Sequence, residues 1–349
     1  MKKRISLALL AVAAQGAMAQ AQPTSSVQLF GVIDAHLRYV KNGDVSSTQL
    51  GSGGESTSRF GIRGVEDLGG GLNASFFIEG QFAADTGVAG ATNGGINRFW
   101  NRRSTISLSS PLGELRLGRD TLPTWTALSN FDVYTTVGVG NTTNLYTDTS
   151  AFNSLGRVRL DNLVAYSLPG NLGGVYGTFA VSPSEGATGG KYFGGRLGYA
   201  AGAVNVTAAY GETKVNALDA HKVFVASGSY DFGVLKLHGT AQRTEFVNAE
   251  NRFYSLSVTA PVGPGTLKAA IARTNGDGVQ GATNWSTVSA SQFSLGYVYP
   301  LSKRTAVYST VSYLKNKGTA RYTVGSITGQ TQQAGASSRG VDFGIRHNF

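Results

Sequence analysis

Residues 340–349 read GVDFGIRHNF, and side-chain character alternates along them with period two. Val341, Phe343, Ile345, His347 and Phe349 fall on one face of an extended chain, Asp342, Arg346 and Asn348 on the other. A strand patterned this way lies between an apolar and a polar medium. The same alternation recurs upstream. In residues 27–39, Val27, Leu29, Ile33, Leu37 and Tyr39 oppose Gln28, Asp34, His36 and Arg38. Sixteen such segments cover the chain from residue 27 to its end. Their connections alternate in length. EDLGGGL, SPLGEL and APVGPG are short and rich in Gly or Pro, which suits tight turns. Between them lie longer runs near 41–55, 86–98, 120–156, 183–190, 275–289 and 316–339. An even strand number, short turns on one rim and long loops on the other describe a transmembrane β-barrel. Closure also removes the unpaired edges that lipid does not tolerate. The fold class expected is therefore all-β: a sixteen-stranded antiparallel transmembrane barrel, with a single domain over residues 20–349.

Composition agrees without deciding. Charged residues are 14% and mean hydropathy is −0.08, as in a soluble protein; a barrel averages the same way because its two faces cancel. Met1, Lys2, Lys3 and Arg4 precede an apolar run and an Ala17-Met18-Ala19 cleavage site, so residues 1–19 read as an export signal. Removing it leaves 27 basic residues against 20 acidic, a net charge near +7. Nucleic acid is not an expected partner, because the chain is exported and its basic residues are scattered through alternating segments. With no Cys there are neither disulfides nor thiolate metal sites. The four His (His36, His221, His238 and His347) sit on separate segments, and no HExxH, GxSxG or phosphate loop occurs. Neither an enzyme nor a metal or cofactor is expected.

SSVQLFGVIDAHLRY, STSRFGIRGVEDLGGGLNASFFIEGQF, RRSTISLSSPLGELRLGRD and the ending GVDFGIRHNF resemble the general porins of β-proteobacteria along the mature chain. The resemblance implies a homotrimer of sixteen-stranded barrels in the outer membrane of a Gram-negative bacterium. It implies passive diffusion of inorganic ions and small hydrophilic solutes, and a third loop folded into the pore. It also implies that the terminal aromatic, Phe349 here, is read during assembly.

Residues 120–156 are the longest run without a sustained period. They carry Trp125, Phe131, Tyr134, Leu145, Tyr146 and Phe152, too many large apolar groups for a solvated linker. Such a loop should pack inside the barrel and narrow it. Strand parity points Arg38, Arg59, Arg63, Arg103, Arg157 and Arg159 into the lumen, all on strands one to six. Residues two apart on a strand are separated by roughly 6.6 Å. The Debye length at physiological salt is about 8 Å, so neighbouring arginine potentials overlap. Resemblance to anion-preferring porins singles out Arg59, Arg103 and Arg159; Arg102, out of phase with Arg103, is the weaker candidate. The loop acids Asp120, Asp132 and Asp148 are expected to face this wall and set a transverse field. Moderate selectivity for anionic solutes follows. One competing reading pairs the arginines structurally and leaves the pore unselective. Another makes the barrel an adhesin or structural scaffold working through its outer loops. Outward apolar faces of strands one and sixteen should meet membrane lipid or a neighbouring subunit.

Overall fold

The structure, a computed structural model, describes residues 25–93, 96–145, 158–185, 190–280 and 283–349. Residues 1–19, and with them the export signal, lie outside the described residues. Before the long loop come β1 (Ser25–Asn42), β2 (Arg59–Gly69), β3 (Leu72–Gln81), β4 (Arg103–Ser110) and β5 (Gly113–Thr121). After it come β6 (Arg159–Ser167), β7 (Val175–Ser182), β8 (Tyr192–Ala201), β9 (Val204–Lys214) and β10 (Ala220–Asp231). The circuit continues through β11 (Lys236–Phe246), β12 (Ala249–Val262), β13 (Gly265–Gln280), β14 (Val288–Pro300), β15 (Thr305–Gly318) and β16 (Ser338–Asn348). Each pairs antiparallel with its neighbour, and β16 returns to β1 from Val32↔Asn348 to Asn42↔Ser338. The sixteen-stranded barrel is closed, as the alternation implied. At the seam Gly31 and Phe349 exchange backbone hydrogen bonds of 3.0 Å, and the Phe349 ring lies over Gly31, where a Cβ would come within 2.2 Å of it.

Burial alternates along the strands in a sense opposite to that of a soluble sheet. On β16 Val341, Phe343 and Ile345 are exposed, while Asp342 between them is fully buried. The apolar face is the outer one, as in a barrel that spans a membrane, and the polar face packs against loops that enter the lumen. Tyr39, Tyr166, Tyr199, Tyr230, Tyr254 and Tyr299 point outward near strand ends, as interfacial girdles require.

Two local features depart from the expected pattern. The run near 41–55 is not all loop: Val45–Ser52 is a strand that pairs with the upper half of β1, while β2 pairs with its lower half. Between these two pieces, residues 53–58 leave the wall and enter the lumen. Their anchor is Asp34, fully buried, whose carboxylate accepts the backbone N–H groups of Gly54 (3.1 Å), Glu55 (2.9 Å) and Ser56 (2.7 Å). The second departure is phase. Alternation places Leu160 on the same face as Val164 and Tyr166. The left-handed Asn162 (φ 58°) shifts that phase, so Leu160 packs inward with Leu122 and Leu163 while Val164 and Tyr166 stay exposed.

Candidate constriction

The loop after β5 does fold inward. Pro123 opens the short helix α1 (Pro123–Ser129), where its fixed φ suits the first turn, and α1 packs against β8, β9 and β10. Phe131, Tyr134 and Leu145 are buried, and Trp125 packs half-buried beside Leu122 and Leu128. Tyr146 and Phe152 lie outside the described residues. Beyond α1 the loop crosses to the opposite wall. Tyr134 donates its hydroxyl to the Lys268 carbonyl on β13 (3.0 Å), and the Val139 N–H donates to Asp342 on β16 (3.0 Å). Gln292 on β14 reaches the carbonyls of Val139 (3.3 Å) and Asn141 (3.0 Å). Thr135 Oγ1 donates to the Glu55 carbonyl (2.6 Å), joining the loop to the 53–58 segment. At Gly138, φ is +73° and a Cβ would stand 2.0 Å from the Gly54 carbonyl oxygen.

The wall left open to the lumen is the one formed by β1 to β6, and it is basic. Arg38 forms a two-pronged ion pair with Asp342, both contacts 2.7 Å, beside the carboxylate oxygen that holds Val139. Arg59 pairs with Glu79 at 3.4 Å and donates to Ser56 Oγ and the Thr57 carbonyl, both 3.0 Å. Arg63 is exposed, donates to Gln28 (2.7 and 3.0 Å) and lies over the Phe30 ring. Arg103 stacks 4.4 Å from the Phe77 ring centroid and stands 3.6 Å from Asp120. Arg159 has no ion-pair partner among the described residues, and its Nε is buried without a hydrogen bond. The charged groups around it are Arg102, Glu79, Arg119 and Asp120. Arg157 and Asp148 lie outside the described residues.

The loop acids do not act as one surface. Asp120 faces the wall, bonding Arg116 at 2.9 Å. Asp132 does not, which corrects the expected field of acids. It is buried in its own loop, accepting the Thr136 N–H (2.7 Å) and the Thr142 hydroxyl (2.8 Å). Burial raises its carboxyl above the usual range, and those hydrogen bonds oppose the rise. It staples a turn in which Thr135 and Thr136 both hold positive φ. Glu55 takes the lumen position instead, 2.5 Å from Lys268 Nζ and 3.7 Å from Arg346.

Several cations escaped the parity argument. Arg102 precedes β4, so alternation does not govern it; it pairs with Glu79 beside Arg59 and Arg159. Arg119 sits in the register shift between Gly118 and Asp120, which takes it out of the alternation and lets it bond Asp161 (2.6 Å) and the Asn101 carbonyl (2.8 Å). Arg98 bonds the same Asp161 at 2.6 Å. Arg116 lies on the polar face of β5, and its phase alone could have placed it. Seven arginines (Arg38, Arg59, Arg98, Arg102, Arg103, Arg116 and Arg119) thus share five carboxylates, Glu79, Glu114, Asp120, Asp161 and Asp342, while Arg63 and Arg159 form no ion pair among the described residues. Pairing is extensive, yet within this paired set the arginines outnumber the carboxylates.

Comparison with known proteins gives one answer. The family profile described as Gram-negative porin matches residues 6–319. The chain is 37% identical over 371 aligned positions to outer membrane porin protein 32 of Delftia acidovorans, with both chains covered in full. It is 30% identical over 411 positions to an outer membrane porin protein of Bordetella pertussis, again with both covered in full. Its fold superposes on the anion-selective porin from Comamonas acidovorans with a TM-score of 0.80 and 36% identity, over 93% of this chain and all of that one.

Proposed function

The chain belongs to the Gram-negative porin family, and we propose that its pore prefers anions because seven wall arginines share five carboxylates and two more, Arg63 and Arg159, form no ion pair among the described residues across a narrowed lumen. It is an outer-membrane diffusion pore for ions and small solutes, not an enzyme. In this reading the 120–156 loop and the 53–58 segment reduce the cross-section, and Arg59, Arg63, Arg103 and Arg159 set the potential an entering solute meets. Arg is always protonated at working pH, so the field does not titrate away on the basic side. Electrostatic preference in a pore follows from the sign and spacing of such lining charges. The relative named anion-selective carries the same fold at 36% identity, which supports the sign. Small hydrophilic anions are the preferred solutes of this reading. Its outward face contacts membrane lipid, and Leu29, Ile33, Phe343 and Ile345, all exposed, supply the subunit contact of a homotrimer.

Reversal potentials in a salt gradient test the sign directly. Purified protein in a planar bilayer should give an anion-selective potential. Arg59→Ala and Arg159→Ala should each move it toward zero, with conductance retained. A potential of zero or of cationic sign in the native protein would overturn the proposal.

A further inference from the structure

The inner face of a water-filled barrel is polar, and two positions on the arginine wall break that rule. Phe30 on β1 shares the lumen face of Gln28, Asp34 and Arg38, and Phe77 on β3 shares that of Ser75 and Glu79. The apolar neighbours of Phe77, Phe76 and Ile78, fall on the outer face, where alternation sends them. Register explains how the two rings meet although β2 lies between their strands. Phe30 stands opposite Gly61, and Gly61 stands opposite Glu79, two residues from Phe77. A Cβ at Gly61 would lie 2.4 Å from Phe30 Cζ, so the absent side chain is what lets the ring cross β2. The ring centroids of Phe30 and Phe77 are 5.3 Å apart, with the planes tilted by 57°.

Each ring also carries a guanidinium. Arg63 Cζ lies 5.4 Å from the Phe30 centroid, and Arg103 Cζ lies 4.4 Å from that of Phe77. Both rings are half-buried, and neither belongs to the apolar clusters that the inward loop forms with the wall. Phe30 is four residues before Asp34, roughly 13 Å along the strand, so the pair stands on the short-turn side of the 53–58 segment. Stacking that served only to fix the two guanidiniums would not leave one of them open. Arg103 donates to Thr105 (3.1 Å) and stands near Asp120. Arg63 is exposed, donates to the neutral Gln28 side chain and forms no ion pair among the described residues. An open cation beside two partly exposed rings complements an anion with a flat apolar body, whereas a small inorganic anion uses the charge alone.

We propose that this stretch of wall is a transit subsite for small aromatic carboxylates. The ring of the solute packs against Phe30 and Phe77, and its carboxylate pairs with Arg63. The inference rests on the anion-preferring reading of the pore and names the class of solute that reading favours. Because every group of the subsite is partly exposed, binding is weak, as conduction requires of any site inside a pore. Ring-on-ring contact should favour such a solute roughly two- to tenfold over a saturated anion of equal charge and similar bulk.

Block of the chloride current through the intact protein in a planar bilayer tests the subsite. Benzoate, cyclohexanecarboxylate and acetate are added in turn at neutral pH, where all three are ionised. Benzoate should halve the current at a concentration roughly two- to tenfold below that of cyclohexanecarboxylate, with acetate weaker than both. Phe30→Leu combined with Phe77→Leu should bring the two ring acids to the same value. Arg63→Gln should raise both concentrations, roughly two- to fivefold. In the native protein, equal potency of benzoate and either other acid, or no block at all, overturns the proposal whether or not the variants form channels. A benzoate advantage that survives the double variant also overturns it, as does block that Arg63→Gln leaves unmoved. The native reversal potential separates the two claims. An anionic potential without benzoate discrimination sinks the subsite alone, and a zero or cationic potential sinks the anion preference on which it rests.

Discussion

Glu55 is a carboxylate placed where a pore can least ignore its charge. It is buried beside Lys268 and Arg346, and burial raises its carboxyl above the usual range while Lys268 opposes the rise. It therefore binds its proton at a higher pH than a free glutamate, whose ordinary value is 4.5. Protonation as pH falls removes a negative charge and leaves Lys268 and Arg346 uncompensated, so anion preference should rise on acidification. The expected midpoint lies above 4.5. Glu55→Gln should show the heightened preference already at neutral pH, with most of the acid-induced rise gone. Reversal potentials across the pH range decide it, and a Glu55→Gln profile identical to the native one sinks the assignment.

At the scale of the element, the described part of the long loop, residues 120–145, is pinned to three wall strands and to the 53–58 segment rather than merely packed. The tightest point is Gly138, where a positive φ and a Gly54 carbonyl oxygen 2.0 Å from the position a Cβ would take exclude any side chain. Gly138→Ala should cost about 1–3 kcal/mol in local strain and release the loop tip from Gly54. Single-channel conductance should then rise and become noisier, while the heat-modified gel mobility of the barrel stays native. Unchanged conductance would show that the contacts of Tyr134, Thr135, Val139 and Gln292 hold the tip without the Gly54 approach. Most of this element was legible beforehand. Its length, its lack of period and its aromatics all implied inward packing, and Phe131, Tyr134 and Leu145 are buried accordingly. The role of Asp132 was not legible, because nothing local distinguishes a lumen-facing carboxylate from one that closes its own turn through Thr136 and Thr142.

For the whole molecule, stability comes from closure and from a core placed inside the barrel. Val40, Val139, Leu145, Leu314 and Val324 meet in the lumen, where loop and wall exclude water. The outside stays apolar and needs lipid or another subunit. Leu29, Ile33, Phe343 and Ile345 flank the β1–β16 seam and are 45–60% exposed, so this is the expected trimer contact. The protein should run as a heat-dissociable trimer in mild detergent, and Ile33→Asp with Phe343→Asp should convert it to monomers that still conduct. A native protein that is monomeric under those conditions would refute the assembly.

The amino-acid sequence by itself determined the number of strands, which face of most of them points out of the barrel, and which connection is long enough to enter the pore. Those properties are local: alternation is set by the extended backbone and by the two media it separates, and it needs no knowledge of distant residues. Tertiary structure decided which cations meet which acids. One register shift between β5 and β6, at Gly118–Asp120 opposite the left-handed Asn162, moved Arg119 and Leu160 out of phase, and a bulge depends on the partner strand as much as on its own residues. The inward turn at 53–58 depends on Asp34, which gathers its backbone N–H groups and accepts a hydrogen bond from Tyr308, 274 residues away. A contact of that separation leaves no periodic trace in the chain, which is why Glu55 went unseen until the barrel was closed.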